Sequence, residues 1–222
     1  MWRSTVGMEL TELQRWGHYP AGPVCTISYL VQGSIDVLPA GVGHDAFSAR
    51  LPAPRMSVMG PHSAPRSAFY GPDAEGVMLI FYPDALWAMT GVPPQTLGDQ
   101  IVDAHSVLPA ALLAVCRRLF EAGDVHQGVQ RFFDELSPIW QQRVLALPEH
   151  GEQPIGSGQS FAPWMQALAL RAAATGWGRS LRQSERRIKQ WTGWSLRKLQ
   201  GSVRGEAVFF AVMEAMLEER LD

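Results

Sequence analysis

Proline and glycine interrupt the stretch from residue 39 to residue 72 so often that only short elements of secondary structure fit there. Ten such residues occur within it: Pro39, Gly41, Gly43, Pro52, Pro54, Gly60, Pro61, Pro65, Gly71 and Pro72. Runs of β-branched, aromatic and other apolar residues lie beside these breaks and favour strands. They are 24–31, 35–38, 56–59, 67–70 and 77–82. Strands spread over about 22–82 predict a small β-barrel or sandwich.

A helical pattern begins at Pro83 and continues to about residue 147. Pro83 suits the first turn of a helix that Gly91 would end. A second helix is predicted from 109 to 122 and a third from about 125 to 144, which Pro138 should kink or interrupt. The side chains expected to face inward from the third helix are Val129, Phe132, Phe133, Leu136 and Trp140. Residues 1–147 are therefore assigned to one domain.

The segment 148–160 is the stretch that best fits a linker between domains. It is rich in glycine and proline and poor in apolar residues. It separates 1–147 from 161–222, where helical patterns dominate. The fold class expected for the chain is α+β, with a strand-rich N-terminal domain that carries packed helices and an all-α C-terminal domain.

Positive charge is concentrated in the C-terminal part. Eight basic residues and one acidic residue, Glu185, lie from Arg179 to Arg204, so this segment carries +7 while the whole chain carries −2. A basic island in an acidic protein is the electrostatic footprint of an element that binds a polyanion. A solvated helix face is the alternative interpretation of such a charge run, so the surrounding motif has to decide.

The island contains a helix predicted from 181 to 192. Ser180 is a suitable N-cap and Gly193 a suitable left-handed stop. The residues that share its apolar face are Leu181, Ser184, Ile188 and Trp191. Those that lie away from it are Arg182, Gln183, Glu185, Arg186, Lys189 and Gln190. A narrow apolar stripe opposite long hydrogen-bond donors is what a major-groove recognition helix requires, although an ordinary surface helix at a domain edge has the same pattern.

The residues from Ser180 to Leu199 resemble the first helix-turn-helix of AraC/XylS-type transcription regulators. The shared features are the serine cap, Arg182, the basic pair Arg186-Arg187 before the apolar Ile188, the Thr192-Gly193 stop, and Trp194-Ser195 opening a further helix. The stretch 60–92 also looks like the sensor-side domain of a subgroup of these regulators, in which a late strand leads into a short helix and a Gly-Val pair.

The resemblance implies a DNA-binding regulator whose N-terminal domain is a cupin-like barrel that binds a small-molecule effector or mediates dimerisation. It places Arg182, Glu185 and Arg186 where the family's recognition helix faces bases, with Gln183 as a fourth candidate. Arginine pairs bidentately with guanine, and glutamate accepts a hydrogen bond from cytosine. The residues better placed to contact phosphates are Arg179, Arg187, Lys189, Arg197 and Lys198.

Two features depart from the family pattern. The family has two short helices before its recognition helix, and 160–178 is barely long enough for both. The family also has a second helix-turn-helix after a connecting helix, which here would span 203–221 immediately before the last residue, Asp222. We expect a truncated regulator or a natural fragment, since an apolar terminal helix needs a partner surface. The side chains expected to pack on the rest of the protein or on a second chain are Phe209, Phe210, Met213 and Met216.

Other candidate sites are weaker. Aromatic side chains of the predicted strands could line a ligand pocket or simply fill the core. They are Tyr29, Phe69, Tyr70, Phe81 and Tyr82. The histidines lack the paired spacing of a metal site. They are His18, His44, His62, His105, His126 and His150. We expect no metal, no cofactor and no catalytic residue.

The expected function is transcription regulation in the cytoplasm, without enzymatic activity. No apolar run approaches the roughly 20 residues that a membrane helix needs, and two isolated cysteines, Cys25 and Cys116, fit a reducing compartment. The expected partners are double-stranded DNA, a small-molecule effector and a second copy of the chain in a homodimer, with no membrane. The alternatives are a ligand-binding or protein-interaction module with a degenerate, non-functional helix-turn-helix, and a cupin-like enzyme.

Overall fold

Two antiparallel sheets and six α-helices make up the part of the chain that the computed structural model describes, which is residues 2–43, 46–121, 125–145, 161–174 and 180–218. The strands are β1 (Trp2–Ser4), β2 (Trp16–Tyr19), β3 (Cys25–Gln32), β4 (Ile35–Val37), β5 (Leu51–Pro52), β6 (Met56–Met59), β7 (Arg66–Tyr70), β8 (Glu75–Phe81) and β9 (Ile101–Asp103). The helices are α1 (Pro83–Thr90), α2 (Ala110–Phe120), α3 (Val125–Trp140), α4 (Phe161–Ala174), α5 (Leu181–Thr192) and α6 (Leu196–Glu218). The fold is α+β, as the sequence predicts.

The five-stranded sheet has the order β1-β8-β3-β6-β9, and the four-stranded sheet has the order β2-β7-β4-β5. No ladder joins the two sheets among the described strands, so they do not close into a barrel. Residues of both sheets line one cavity, which shows that the sheets face each other across it. Of the two predicted architectures, the closed barrel is therefore wrong.

The sequence did not predict four of the described strands, which are β1, β2, β5 and β9. Each has two to four residues, which is too short for a period-2 pattern to be recognised. Two of them are edge strands of the larger sheet, where β1 pairs with β8 and β9 pairs with β6. Their partners lie far away in the sequence, so the pairing rather than the local sequence determines them.

The side chains of β3 alternate between the two faces of the larger sheet. Thr26 and Ser28 line the cavity, whereas Cys25 and Ile27 are fully buried on the other face against the helices. We call this second cluster the N-terminal core. Its helical members include Leu86 and Met89 of α1, Leu112 and Cys116 of α2, and Phe132 and Leu136 of α3.

The third helix differs from the prediction in which side chains it buries. Phe132 and Leu136 are buried, but Val129 and Phe133 are 37% and 60% exposed. The prediction is wrong for these two because α3 packs chiefly on α2, so its buried stripe is narrower than its apolar surface. The α-helix continues through Pro138 to Trp140, and a π-helical segment, Gln141–Leu145, follows it.

The three C-terminal helices pack around a cluster that we call the C-terminal core. Its buried members are Trp164, Leu168, Ala172, Ile188, Trp191, Trp194 and Leu199. The separate connecting helix predicted at 203–221 is not observed, because α6 runs without a break from Leu196 to Glu218. Gly201 and Gly205 remain within that helix, with no positive φ and no αL stop.

Several predictions fall on residues that are not described. The predicted linker, 148–160, lies outside the described residues, and so do the side chains of Phe209, Phe210, Met213 and Met216. One helix, α4, precedes α5 in the described part of the segment where two short helices were considered. Within the described residues, no helix combines the length and the hydrophobicity needed to cross a bilayer.

Candidate functional site

The basic helix α5 begins and ends where the sequence predicts. Ser180 is extended at the N-cap, and its hydroxyl oxygen accepts a hydrogen bond from the backbone N–H of Gln183. Gly193 adopts φ +78°, and its N–H donates to the carbonyl oxygen of Lys189. These two caps fix both the length and the direction of the helix.

One narrow face anchors α5. Ile188 and Trp191 are almost fully buried in contact with α4. Thr192 is fully buried at the last position of the helix, and Ser184 is half-buried on the same face. Leu181 was predicted to share this stripe but is 74% exposed. It lies in the first turn of the helix, so the buried stripe begins one turn later than predicted.

The opposite face of α5 points to solvent. All four candidate base-reading residues, Arg182, Gln183, Glu185 and Arg186, are exposed, and so is Lys189. This surface therefore carries three positive charges and one negative charge, and it does not pack on the rest of the described chain. Long side chains arranged in this way can reach an external polyanion without breaking any contact of the fold.

The candidate phosphate-contacting residues differ in their surroundings. Arg197, near the start of α6, is exposed, whereas Arg187 is half-buried. The ammonium group of Lys198 lies 3.8 Å from the centroid of the Trp194 ring, a cation–π contact that positions it beside α5. Arg179 lies outside the described residues.

A buried carboxylate, which the sequence did not reveal, joins the C-terminal helices to α1. Asp84 is 3% exposed in the first turn of α1. Its two oxygens accept hydrogen bonds from the indole N–H of Trp164 at 3.0 Å and from Nη2 of Arg171 at 2.9 Å. The guanidinium of Arg171 in turn lies 4.5 Å from the ring centroid of Trp191 in α5. Asp84, Arg171 and Trp191 thus form a continuous polar and aromatic path from α1 to the basic helix.

Two further contacts join the N-terminal half to the C-terminal helices near α1. Tyr82, at the N-cap of α1, stacks on Trp164 with ring centroids 4.5 Å apart and planes 6° from parallel. Gln95, in the short 3-10 turn Pro94–Leu97, donates through Nε2 to the carbonyl oxygens of Lys189 and Gln190. The strand-rich part of the chain therefore contacts both the support and the C-terminal end of α5.

The cavity between the sheets contains two of the five aromatic residues proposed for a pocket. Tyr29 and Tyr70 line it. Phe69 instead points to the other face of its strand, where it meets Trp16 edge-on. Phe81 packs against the N-terminal core, and Tyr82 stacks on Trp164. Phe69, Phe81 and Tyr82 do not line this cavity, because strand alternation and the end of β8 turn them away from it.

The histidines that the structure describes make isolated contacts. Nδ1 of His18 lies 2.9 Å from the Ser67 hydroxyl, Nε2 of His62 donates to the Pro20 carbonyl at 2.7 Å, and Nδ1 of His105 lies 2.8 Å from the Asp103 carboxylate. His44 and His150 lie outside the described residues, as does the side chain of His126. Among the described residues, no three His, Cys, Asp or Glu side chains are grouped so that they could hold a metal ion.

Comparison with known proteins adds nothing to these observations. No protein-family model, curated protein or solved structure matches the chain. The fold and the geometry of the described side chains are therefore what bears on function.

Proposed function

We propose that this protein is a DNA-binding transcription regulator of the AraC type that contacts duplex DNA through α5. The observation that carries the proposal is the exposed basic face of that helix, with Arg182, Arg186 and Lys189 pointing away from its buried anchor. A recognition helix needs rigid support on one side and long donors on the other. The firmly packed Ile188 and Trp191 provide the support.

Some exposed residues of α5 and α6 would contact the bases of the DNA, and others would contact its phosphates. Arg182, Gln183, Glu185 and Arg186 occupy the exposed positions from which side chains would reach base edges in a major groove. Lys189 and the two basic residues at the start of α6, Arg197 and Lys198, would flank them as phosphate contacts, which set orientation rather than sequence preference. One such helix is expected to bind weakly and with little specificity.

The contacts at α1 would give the N-terminal half control over α5. Asp84 and Gln95 both belong to that half, and both hold the C-terminal helices directly or through Arg171. A small-molecule effector or a second copy of the chain bound to the N-terminal half would change the orientation of α5 through these contacts.

The salt dependence of DNA binding tests the proposal. Fluorescence anisotropy with a random-sequence duplex should show affinity falling steeply between about 50 and 200 mM salt, because each neutralised phosphate adds about −0.9 to the slope of log K against log salt concentration. The double substitution Lys189→Gln and Arg197→Gln should weaken binding and make that slope less negative by about 2.

A matched control removes a positive charge elsewhere. Arg131 is exposed on α3, so Arg131→Gln should leave both the affinity and the slope unchanged. Binding that is undetectable, insensitive to salt, or equally sensitive to Arg131→Gln would contradict the proposal.

The second candidate function is a protein-interaction or ligand-binding module whose helix-turn-helix no longer binds DNA. The observation that favours it is the contact of Gln95 with the last carbonyl groups of α5, which places the N-terminal half against one end of the helix. This module would show no salt-dependent DNA binding in the same titration.

A further inference from the structure

The cavity between the two sheets has room for a small organic molecule. Its volume is about 110 Å³, and apolar side chains form most of its wall. Examples are Met59 and Met78 from the five-stranded sheet and Val37 and Ala68 from the four-stranded sheet. A cavity of about 150 Å³ is known to hold a benzene molecule. The space here is smaller than that and suits a compact molecule of about four or five non-hydrogen atoms.

The charges around the cavity are mostly positive. Three arginines and one glutamate are among its lining residues, namely Arg3, Arg55, Arg66 and Glu75. The guanidinium of Arg3 lies over the ring of Tyr70, with 3.9 Å between Cζ and the ring centroid. Arg55 donates to the carbonyl oxygens of Leu30 and Val31. The lining as a whole is thus suited to an anion rather than to a cation.

Arg66 is a buried arginine that lines the cavity and leaves one N–H group unpaired among the described residues. It is 6% exposed at the start of β7, and its Nη2 donates to the carbonyl oxygen of Asp99. Its Nε is buried and has no hydrogen-bond partner among the described residues. Burial lowers the pKa of Arg66, with the charge of Asp99 acting against that shift. A buried guanidinium with an unused N–H is a strong donor for a carboxylate, because a charge-assisted hydrogen bond would replace the lost hydration.

We propose that the cavity binds a small monocarboxylate, which accepts a hydrogen bond from Arg66 and places its apolar body among Met59, Ala68 and Met78. The binding of this carboxylate in the cavity does not depend on whether α5 binds DNA. The further statement that this carboxylate is the effector of the regulator rests on the proposed function. Measuring binding without DNA therefore separates a failure of one proposal from a failure of the other.

Propanoate and propanamide form a matched pair of probes, because they have the same size and differ in charge. Isothermal titration calorimetry at neutral pH should show saturable binding of propanoate to the full chain. Propanamide should bind at least tenfold more weakly, because it brings no negative charge to the guanidinium. No saturable binding of propanoate, or equal affinity for the two probes, would overturn the proposal.

Two substitutions locate the binding. Arg66→Gln should weaken propanoate binding at least tenfold while leaving the weak binding of propanamide unchanged. Ala68→Leu adds side-chain volume to the cavity wall and keeps the arginine, and it should weaken the binding of both probes. Arg131→Gln, an exposed charge removal on α3, should alter neither. If Arg66→Gln does not fold, the titration of the Ala68→Leu variant alone tests whether the carboxylate binds in this cavity. Undiminished propanoate binding in a folded Ala68→Leu or Arg66→Gln variant would show that the carboxylate binds elsewhere.

Discussion

At the scale of single residues, the Asp84 carboxylate joins α1 to α4. It is buried, and it accepts hydrogen bonds from two side chains of α4. Sequence reasoning missed it because an aspartate in the first turn of a helix is ordinarily explained by the helix dipole. Its partners, Trp164 and Arg171, lie more than seventy residues further along the chain, so no local pattern could have paired them.

Asp84→Asn should destabilise the protein by about 3 kcal/mol. The amide retains the shape of the carboxylate, but it removes the charge opposite the largely buried guanidinium of Arg171, and breaking a buried pair costs about 3–5 kcal/mol. Urea unfolding followed by tryptophan fluorescence measures the change. Glu121→Gln is the control, because Glu121 is exposed and its replacement should change stability by less than about 0.5 kcal/mol. Equal effects of the two substitutions would show that the buried pair contributes little.

At the scale of secondary structure, the sequence predicted best those elements whose ends are defined locally. Both ends of α5 were predicted because a serine cap and a left-handed glycine are local signals, and α1 was predicted to end at Gly91 for the same reason. The short strands β1 and β9 could not be predicted, because they depend on distant pairing partners. The exposed basic face of α5 followed from its periodicity, whereas the cavity required the packing of two sheets.

Two glycine-to-alanine substitutions in neighbouring elements should have opposite effects. Gly193 adopts φ +78°, a conformation that costs an alanine about 1–2 kcal/mol, so Gly193→Ala should lower stability by about that amount. Gly201 lies inside α6, and an added Cβ would meet nothing within 4 Å, so Gly201→Ala should raise stability by about 0.5–1 kcal/mol. Thermal unfolding by circular dichroism compares them. A higher stability of Gly193→Ala would contradict the assigned end of α5, and a lower stability of Gly201→Ala would contradict the open space around Gly201.

At the scale of the whole molecule, α1 belongs to both cores. Leu86 and Met89 are buried in the N-terminal core, whereas Trp87 packs against the C-terminal core. Neither core can therefore lose its packing without disturbing the helix that the other requires. The composition of 148–160 predicted two domains, but composition could not predict that one helix, α1, would contribute side chains to both cores.

The two cores should accordingly unfold in one transition. Cys25 and Cys116 are fully buried in the N-terminal core, and burial raises the pKa of both thiols, so they should be unreactive until that core opens. Pulses of a thiol reagent along a urea series report this opening, while tryptophan fluorescence reports all eight tryptophans of the chain, of which Trp164, Trp191 and Trp194 lie in the C-terminal core. Coincident midpoints are expected. Separate midpoints would show that the junction at α1 does not couple the cores.

Strand β8, which lines the cavity, is followed almost directly by α1, which contacts the C-terminal helices. Met78 lines the cavity, β8 ends at Phe81, and the helix begins at Pro83, whose ring restricts the backbone at that point. A flexible hinge would absorb a small movement of the strand, but here a single residue, Tyr82, separates the two elements. If a bound molecule displaced β8, the movement would reach the Tyr82–Trp164 stack and the Asp84 carboxylate, and it would change the contacts that hold α4.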